Sequence, residues 1–391
     1  MKIAVFHNYL DNIGGAEIVA LSLARIFKAD VYTTNINKEK IIKMGFSDVL
    51  PRIFSIGRLP KIAPFRQQLA FWYFRRLNLS GYYNFFIIAG DWAMSGSVNN
   101  RPNLWYVHSP LNELWAFRDY IRKSILSRWK VSPYDFWVWF NRKLTLKYSK
   151  SVDVWVANSE NTKKRIKKFY KKEAEIIYPP IICSDYFPGE KEEEREEKKE
   201  EVSLKLLKSE GLPKDYWLSV NRLISHKRIE IQLKAFSNLT EENLVIVGSY
   251  EKGASQFENY KSYLESIMPS NVKIFNWLAY EDLKIFYQGA KGFITSAKDE
   301  DFGMTAVEAM AAGKPVIAPK EGGYCESVIS GVGKLVEDID EYKLEKAIRE
   351  LSSEIKFDSL KYKENCLKRA SDFDISKFEE KIRKLIKLKL I

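Results

Sequence analysis

Short apolar runs recur along the chain, each followed by a polar or glycine-bearing loop and then by a stretch with helical spacing. In the first half these runs are residues 2–7 (KIAVFH), 30–34, 84–90, 104–107 and 152–157. In the second half they are 216–220, NLVIVGS, VKIFNW, 292–296 and 315–318. Continuous rather than alternating apolar runs, interleaved with helices, predict parallel strands covered on both faces. The helical stretches carry their own punctuation. Gly14 and Gly15 open IVALSLARIF, Ser159 caps NTKKRIKKFY, and a helix over 304–312 is stopped by Gly313 and Pro315. Pro179 and Pro180 break the chain. The pattern predicts an α/β protein with a Rossmann-like doubly wound domain over 1–180 and a second over 181–370. A charged insertion lies at 189–210, and a basic amphipathic helix occupies 371–391 and either returns to the first domain or lies on a membrane.

Length agrees, since 391 residues exceed what one core usually organises. The three cysteines, Cys183, Cys325 and Cys366, lie far apart without metal-ligand spacing, which points to a reducing compartment. No apolar stretch is long enough to span a bilayer, and the polar start excludes a signal peptide, so the expected location is cytoplasmic. Charge changes the picture more than composition does. Residues 1–180 hold 29 Lys and Arg against 13 Asp and Glu, a net +16, whereas the remainder is −4. Eight of the ten tryptophans lie in that basic half, among cations such as Arg75, Arg76, Arg122, Lys123 and Arg128. Rings interleaved with cations suit an anionic membrane surface. Nucleic acid is the rival partner, and core rings beside solvated cations are the plain alternative.

Candidate chemistry collects at strand ends. Between the runs 292–296 and 315–318 stands Glu300-DFGMTAV-Glu308, which places one carboxylate before a helix and one inside it. In an open parallel sheet both would face the crevice beyond the carboxyl ends of the strands, with Gly303 letting backbone approach a ligand. The plain alternative makes Glu300 a helix cap and leaves Glu308 solvated. Arg222 and Lys227 flank a strand-to-helix turn, where a guanidinium fork and an ammonium can converge on one anion. The three histidines, His7, His108 and His226, all follow strands.

The E-x7-E stretch resembles the signature of family 4 of retaining glycosyltransferases. Its surroundings look most like the branch of O-antigen and surface-polysaccharide mannosyltransferases. GGAE, PRIFSIGRLP, LSGYYNFFI, HSP, VANSENTKKRIKKFY, IIYPP and NRLISHKRI extend the likeness over most of the chain. The resemblance implies the GT-B architecture, two Rossmann-like domains facing a deep cleft. It implies transfer of a hexose, mannose from GDP-mannose or a sugar from a UDP donor, to a lipid-linked, polysaccharide or oligosaccharide acceptor. Arg222 and Lys227 would hold the diphosphate, Glu300 and His108 the sugar, and Glu308 the ribose. Gly14, Gly15, Phe302, Gly303, Met304 and Thr305 would contact the donor. No cofactor and no metal are expected, although Asp299-Glu300-Asp301 spells the D-x-D of metal-dependent transferases. The enzyme would be peripheral to the inner face of the cell membrane. A nucleic-acid-binding protein is the alternative from another class. The chain departs from the branch at Leu111-Asn112-Glu113, where an Arg-Tyr pair is usual, and at Asn276, where glycine is usual.

Overall fold

A computed structural model describes residues 1–186, 211–249, 255–276 and 278–390. The charged insertion expected at 189–210 lies outside the described residues. The chain forms two compact units, Met1–Pro179 with Phe378–Ile391, and Pro180–Lys377.

The first unit is built on seven parallel strands: β1 (Ile3–Phe6), β2 (Asp30–Thr33), β3 (Ile53–Ser55), β4 (Phe85–Ile88), β5 (Asn103–Val107), β6 (Val154–Ala157) and β7 (Glu175–Ile176). Their order is β3-β2-β1-β4-β5-β6-β7. The second unit holds β8 (Trp217–Val220), β9 (Leu244–Val247), β10 (Val272–Phe275), β11 (Gly292–Ile294), β12 (Val316–Pro319) and β13 (Gly333–Val336). Their order is β10-β9-β8-β11-β12-β13, again with every pairing parallel. Both sheets are doubly wound, so each has a point where the strand order reverses: between β1 and β4, and between β8 and β11. Brändén's rule places ligands outside the carboxyl ends of the strands at such a point.

Central strands β1, β4, β5, β6, β8, β9 and β12 are buried along their whole length, which is why they read as continuous apolar runs. Strands β3, β7 and β13, which the pattern did not predict, are edge strands with exposed or half-buried residues. A strand covered on fewer sides leaves a weaker apolar signature.

Sequence reasoning started the last segment at 371. Ser371–Phe373 is instead a 3-10 turn, Ile181 bridges to Asp374, and the final helix is Ile375–Leu390. Within the first unit its Phe378, Ile382, Leu385 and Ile386 are buried, with the Phe378 ring 5.9 Å from Tyr106. Arg383 donates to the Ile26 carbonyl at 2.7 Å, beyond the end of the helix Gly15–Phe27 that the Gly14–Gly15 pair opens. A covered apolar stripe is not available to lipid, which corrects the membrane alternative for this helix.

Candidate active site

The loop after β8 and the loop after β11 emerge side by side at the switch point of the second sheet, and hydrogen bonds stitch them together. A 3-10 turn, Ser225–Lys227, leads into the helix Ile229–Ser237 through Arg228, whose φ of 50° is left-handed. That conformation costs a non-glycine residue about 1 kcal/mol or more and needs support. Arg228 supplies its own: Nε donates to the Ser296 carbonyl at 2.6 Å, and the guanidinium pairs with Glu321. The Ser296 hydroxyl lies 2.8 Å from the Lys227 carbonyl and accepts from Gln232 Nε2 at 2.8 Å. Lys298 N–H donates to the His226 carbonyl at 2.8 Å. Within this frame the Lys227 ammonium forms an ion pair with Glu300, both side chains largely withdrawn from solvent. Glu300 is thus an ion-pair partner of the loop after β8, with 26% of its side chain exposed.

The Glu300 loop is shaped by close backbone approach. Asp299 has φ 48° and Gly303 φ 87°. A Cβ on Gly303 would stand 2.3 Å from the Tyr324 ring. A second glycine pair follows β12: a Cβ on Gly322 would lie 2.4 Å from the Glu300 carbonyl oxygen, and one on Gly323 2.4 Å from Phe302 Cα. Gly323 N–H donates to the Glu300 carbonyl at 2.8 Å. Phe302 turns its ring inward, 5.3 Å from Phe373, and is 2% exposed. This narrows the donor contact expected of it to the backbone. The helix Met304–Ala311 begins after Gly303 with no side-chain cap, and Met304 and Thr305 occupy its first turn. Such a terminus offers N–H groups without intrahelical acceptors and a positive dipole end.

Electrostatics divide the carboxylates. Burial opposes ionisation of Glu300, but Lys227, His226 and Arg222 together hold it below the usual carboxylate range. Burial, then Lys227 and Arg222, push His226 down to about 4, so this imidazole is neutral near pH 7. Glu308, one helical turn further in, has the opposite fate: burial raises it to about 7 against the hydrogen bonds of Tyr287 and Tyr186. Tyr287 donates to its Oε2 at 2.7 Å. Glu308 is 8% exposed, which removes the solvated alternative.

His108, Gly14 and Gly15 belong to the first unit. His108 follows β5, its Nε2 is buried without a hydrogen-bond partner, and burial together with His7 lowers it to about 3. A neutral imidazole with an unsatisfied buried nitrogen calls for a hydroxyl or water. His7 Nδ1 lies 3.1 Å from the Ala89 carbonyl, a structural contact. Gly14 is the extended residue before its helix, and a Cβ there would stand 2.6 Å from Glu17 Oε2. A carboxylate so near disfavours an anion and leaves room for neutral hydroxyls. In the departing segment, Leu111 has φ 26° and Glu113 accepts from Trp92 Nε1 at 2.8 Å.

Sequence reasoning missed Arg228, Gln232, Ser296, Gly322, Gly323 and the tyrosines around Glu308. One signal was available: Gln232 interrupts an apolar helix face, and a buried amide needs a partner.

Residues 203–370 match the family of glycosyl transferases group 1. Mannosylfructose-phosphate synthase of Agrobacterium fabrum is 30% identical over 130 residues, covering 31% of this chain and 29% of that protein. An alpha-1,3/1,6-mannosyltransferase ALG2 of Dictyostelium discoideum is 25% identical over 370 residues, 85% of this chain and 84% of the other. The chain spans less than half the length of the first curated relatives it matches. Among solved structures, Anabaena HepE in complex with UDP and glucose superposes with a TM-score of 0.75 at 17% identity, over 99% of each chain. The two parallel-sheet units thus have the GT-B fold.

The site generates two predictions. Replacing Glu308 with Gln removes a carboxyl whose folded pKa lies above its unfolded value. Its protonated form is favoured in the fold, so wild-type stability relative to E308Q is greatest below about pH 4.5 and falls as pH rises through about 7. Paired melts across that window should diverge by roughly 1–3 kcal/mol. A constant difference would show that Glu308 does not titrate there. Gly323→Ala should lower stability by about 1–3 kcal/mol by driving Cβ into the Phe302 backbone, measured by denaturant midpoint. An unchanged midpoint would mean that the Glu300 loop yields.

Proposed function

We propose that the chain is a retaining glycosyltransferase that moves a hexose, mannose from GDP-mannose, from a nucleotide-sugar to a glycan acceptor carried on a lipid. The observation that carries this reading is the Lys227–Glu300 pair, with Arg222 acting on the same carboxylate, at the switch point of a parallel sheet beside an uncapped helix terminus. Mannosyltransferases among the relatives support the sugar; the UDP in the HepE structure supports a nucleotide diphosphate and keeps a UDP-sugar as the second donor reading.

In the proposed reaction the bond between the anomeric carbon and the diphosphate oxygen breaks. Arg222, Lys227 and the first-turn amides of Met304 and Thr305 stabilise the charge that develops on the leaving group. The acceptor hydroxyl bonds to the anomeric carbon on the face the diphosphate leaves, and its proton passes to a diphosphate oxygen. No protein nucleophile is then required, unlike two-carboxylate glycoside hydrolysis. Glu300 accepts from sugar hydroxyls while it orients Lys227. Glu308 accepts from the ribose diol, exchanging the Tyr287 contact for it. In the first unit, neutral His108 Nε2 is suited to accept from a hydroxyl, and the backbone at Gly14 and Gly15, beside Glu17, to a neutral hydroxyl-bearing group. No cofactor takes part. The +16 charge of residues 1–180, together with the eight tryptophans interleaved in it, supports an acceptor presented at an anionic membrane surface.

Incubation with a panel of nucleotide-sugars tests this reading, with slow hydrolysis of a GDP- or UDP-hexose and an axial product anomer from an axial donor as the expected result. Turnover of none would overturn it. Arg222→Ala and Lys227→Ala should each lower turnover at saturating donor by roughly 10²-fold or more. Lys227→Ala should also lower the melting temperature, because Glu300 loses its partner. Near wild-type turnover in both would dismiss the diphosphate assignment. Activity should persist in excess EDTA, since cationic side chains and amides meet the diphosphate charge. Loss restored by manganese or magnesium would make Asp299 and Asp301 ligands instead.

A further inference from the structure

We propose that the outward face of the helix Arg128–Tyr148 is a docking surface that seats the first unit on an anionic lipid bilayer. The helix packs inward through Val138, Asn141 and Thr145, which are buried. The opposite stripe exposes large rings at helical spacing: Trp129 is 74% exposed, Phe136 66% and Trp139 51%, with Phe140 beside them. Arg128, Lys130, Lys143, Lys147 and Lys150 are exposed along the same stretch. Lys130 and Lys143 lie over the Trp129 and Trp139 rings, at 4.9 and 4.1 Å. The only carboxylate between residues 128 and 150, Asp135, is turned to Arg118 and Arg122. The stripe therefore combines immersed-ring chemistry with cations and carries no exposed acid.

The neighbouring helix Phe65–Arg76 carries a second exposed stripe. Trp137 Nε1 donates to Gln68 Oε1 at 3.1 Å, joining the two helices, and Phe65, Leu69, Tyr73 and Arg76 form an exposed stripe on the second. Isolated exposed rings are ordinary; several rings on packed helices, rimmed by one sign of charge, mark an interaction site.

Charge selects the occupant. A second copy in a symmetric dimer would set these cations against their own kind. A helix that reads a nucleic-acid groove presents slender polar side chains, and single strands stack on grooves and platforms rather than on a projecting helix face. Tryptophan at headgroup depth with lysine reaching phosphate fits an anionic bilayer. Two of the cations expected from sequence to serve this role do not: Arg122 is held by Asp135, and Arg75 donates to Asn99 over the Tyr148 ring. The surface stands independently of the donor chemistry proposed above.

Co-sedimentation of the full chain with phosphatidylcholine vesicles, with and without phosphatidylglycerol, tests it. Binding is expected to the anionic vesicles alone and should weaken at about 0.15 M salt, where exposed charges reach only about 8 Å. K143Q/K147Q/K150Q keeps every ring and should bind about a hundredfold more weakly, from roughly fivefold per cation. W129A/F136A/W139A keeps every cation and should lose the blue shift of tryptophan emission on binding. Both variants should melt like wild type. The proposal is overturned if wild type ignores anionic vesicles at low salt, if both variants bind as wild type does, or if the same substitutions instead abolish dimerisation or RNA retention. Donor hydrolysis measured without vesicles separates the readings: hydrolysis without vesicle binding overturns the surface alone, and vesicle binding without turnover of any nucleotide-sugar overturns the transferase reading alone.

Discussion

The second unit depends on one electrostatic constraint: an ammonium and a carboxylate delivered by neighbouring strands must share a largely dry space. β8 and β11 flank the point where the strand order reverses, the place at which open parallel sheets bind ligands beyond their strand ends. Lys227 and Glu300 meet there. A lone charge in that position would be expensive, and a pair is tolerated only where its geometry is held by neighbours. Ser296 and Arg228 provide that hold by bonding the Lys227 and Ser296 carbonyls, and Gln232 fixes the Ser296 hydroxyl from the helix behind.

The same constraint explains the glycines. Glu300 can face Lys227 only if its loop closes over the start of the next βα turn, which brings its backbone against residues 322 and 323 within the space a side chain would fill. Strain is concentrated at the turns that do this, with Arg228 and Asp299 left-handed despite their side chains. Such conformations persist where surrounding contacts over-determine them, and here those contacts are the bonds that join the two loops.

Much of this was legible in sequence, for identifiable reasons. Central strands announced themselves because burial on both faces demands unbroken apolar runs, and Glu300, Lys227 and Gly303 were readable because strand ends and glycine turns position them. Legibility failed where the determining partner is remote. Glu308 looks like any helical glutamate, yet burial under other elements raises its proton affinity against the hydrogen bonds of Tyr287 and Tyr186. Arg122 looks like a free surface cation until Asp135 is found beside it. The edge strands β3, β7 and β13 lack the double burial that makes a pattern.

The charge balance at the crevice gives the uncapped helix its place in the proposed reaction. With His226 neutral and Glu300 ionised, Arg222, Lys227 and Glu300 together leave about one positive charge at neutral pH, less than a departing nucleoside diphosphate brings. The remainder must come from groups that add positive potential without adding another buried cation. Backbone amides at the start of Met304–Ala311 meet that requirement, contributing roughly half an elementary charge in fixed orientation. A side-chain cap at Gly303 would consume those donors, and any side chain there would strike Tyr324. Glycine at this position therefore serves both the packing of the loop and the exposure of the helix end, and a substitution would damage the two together.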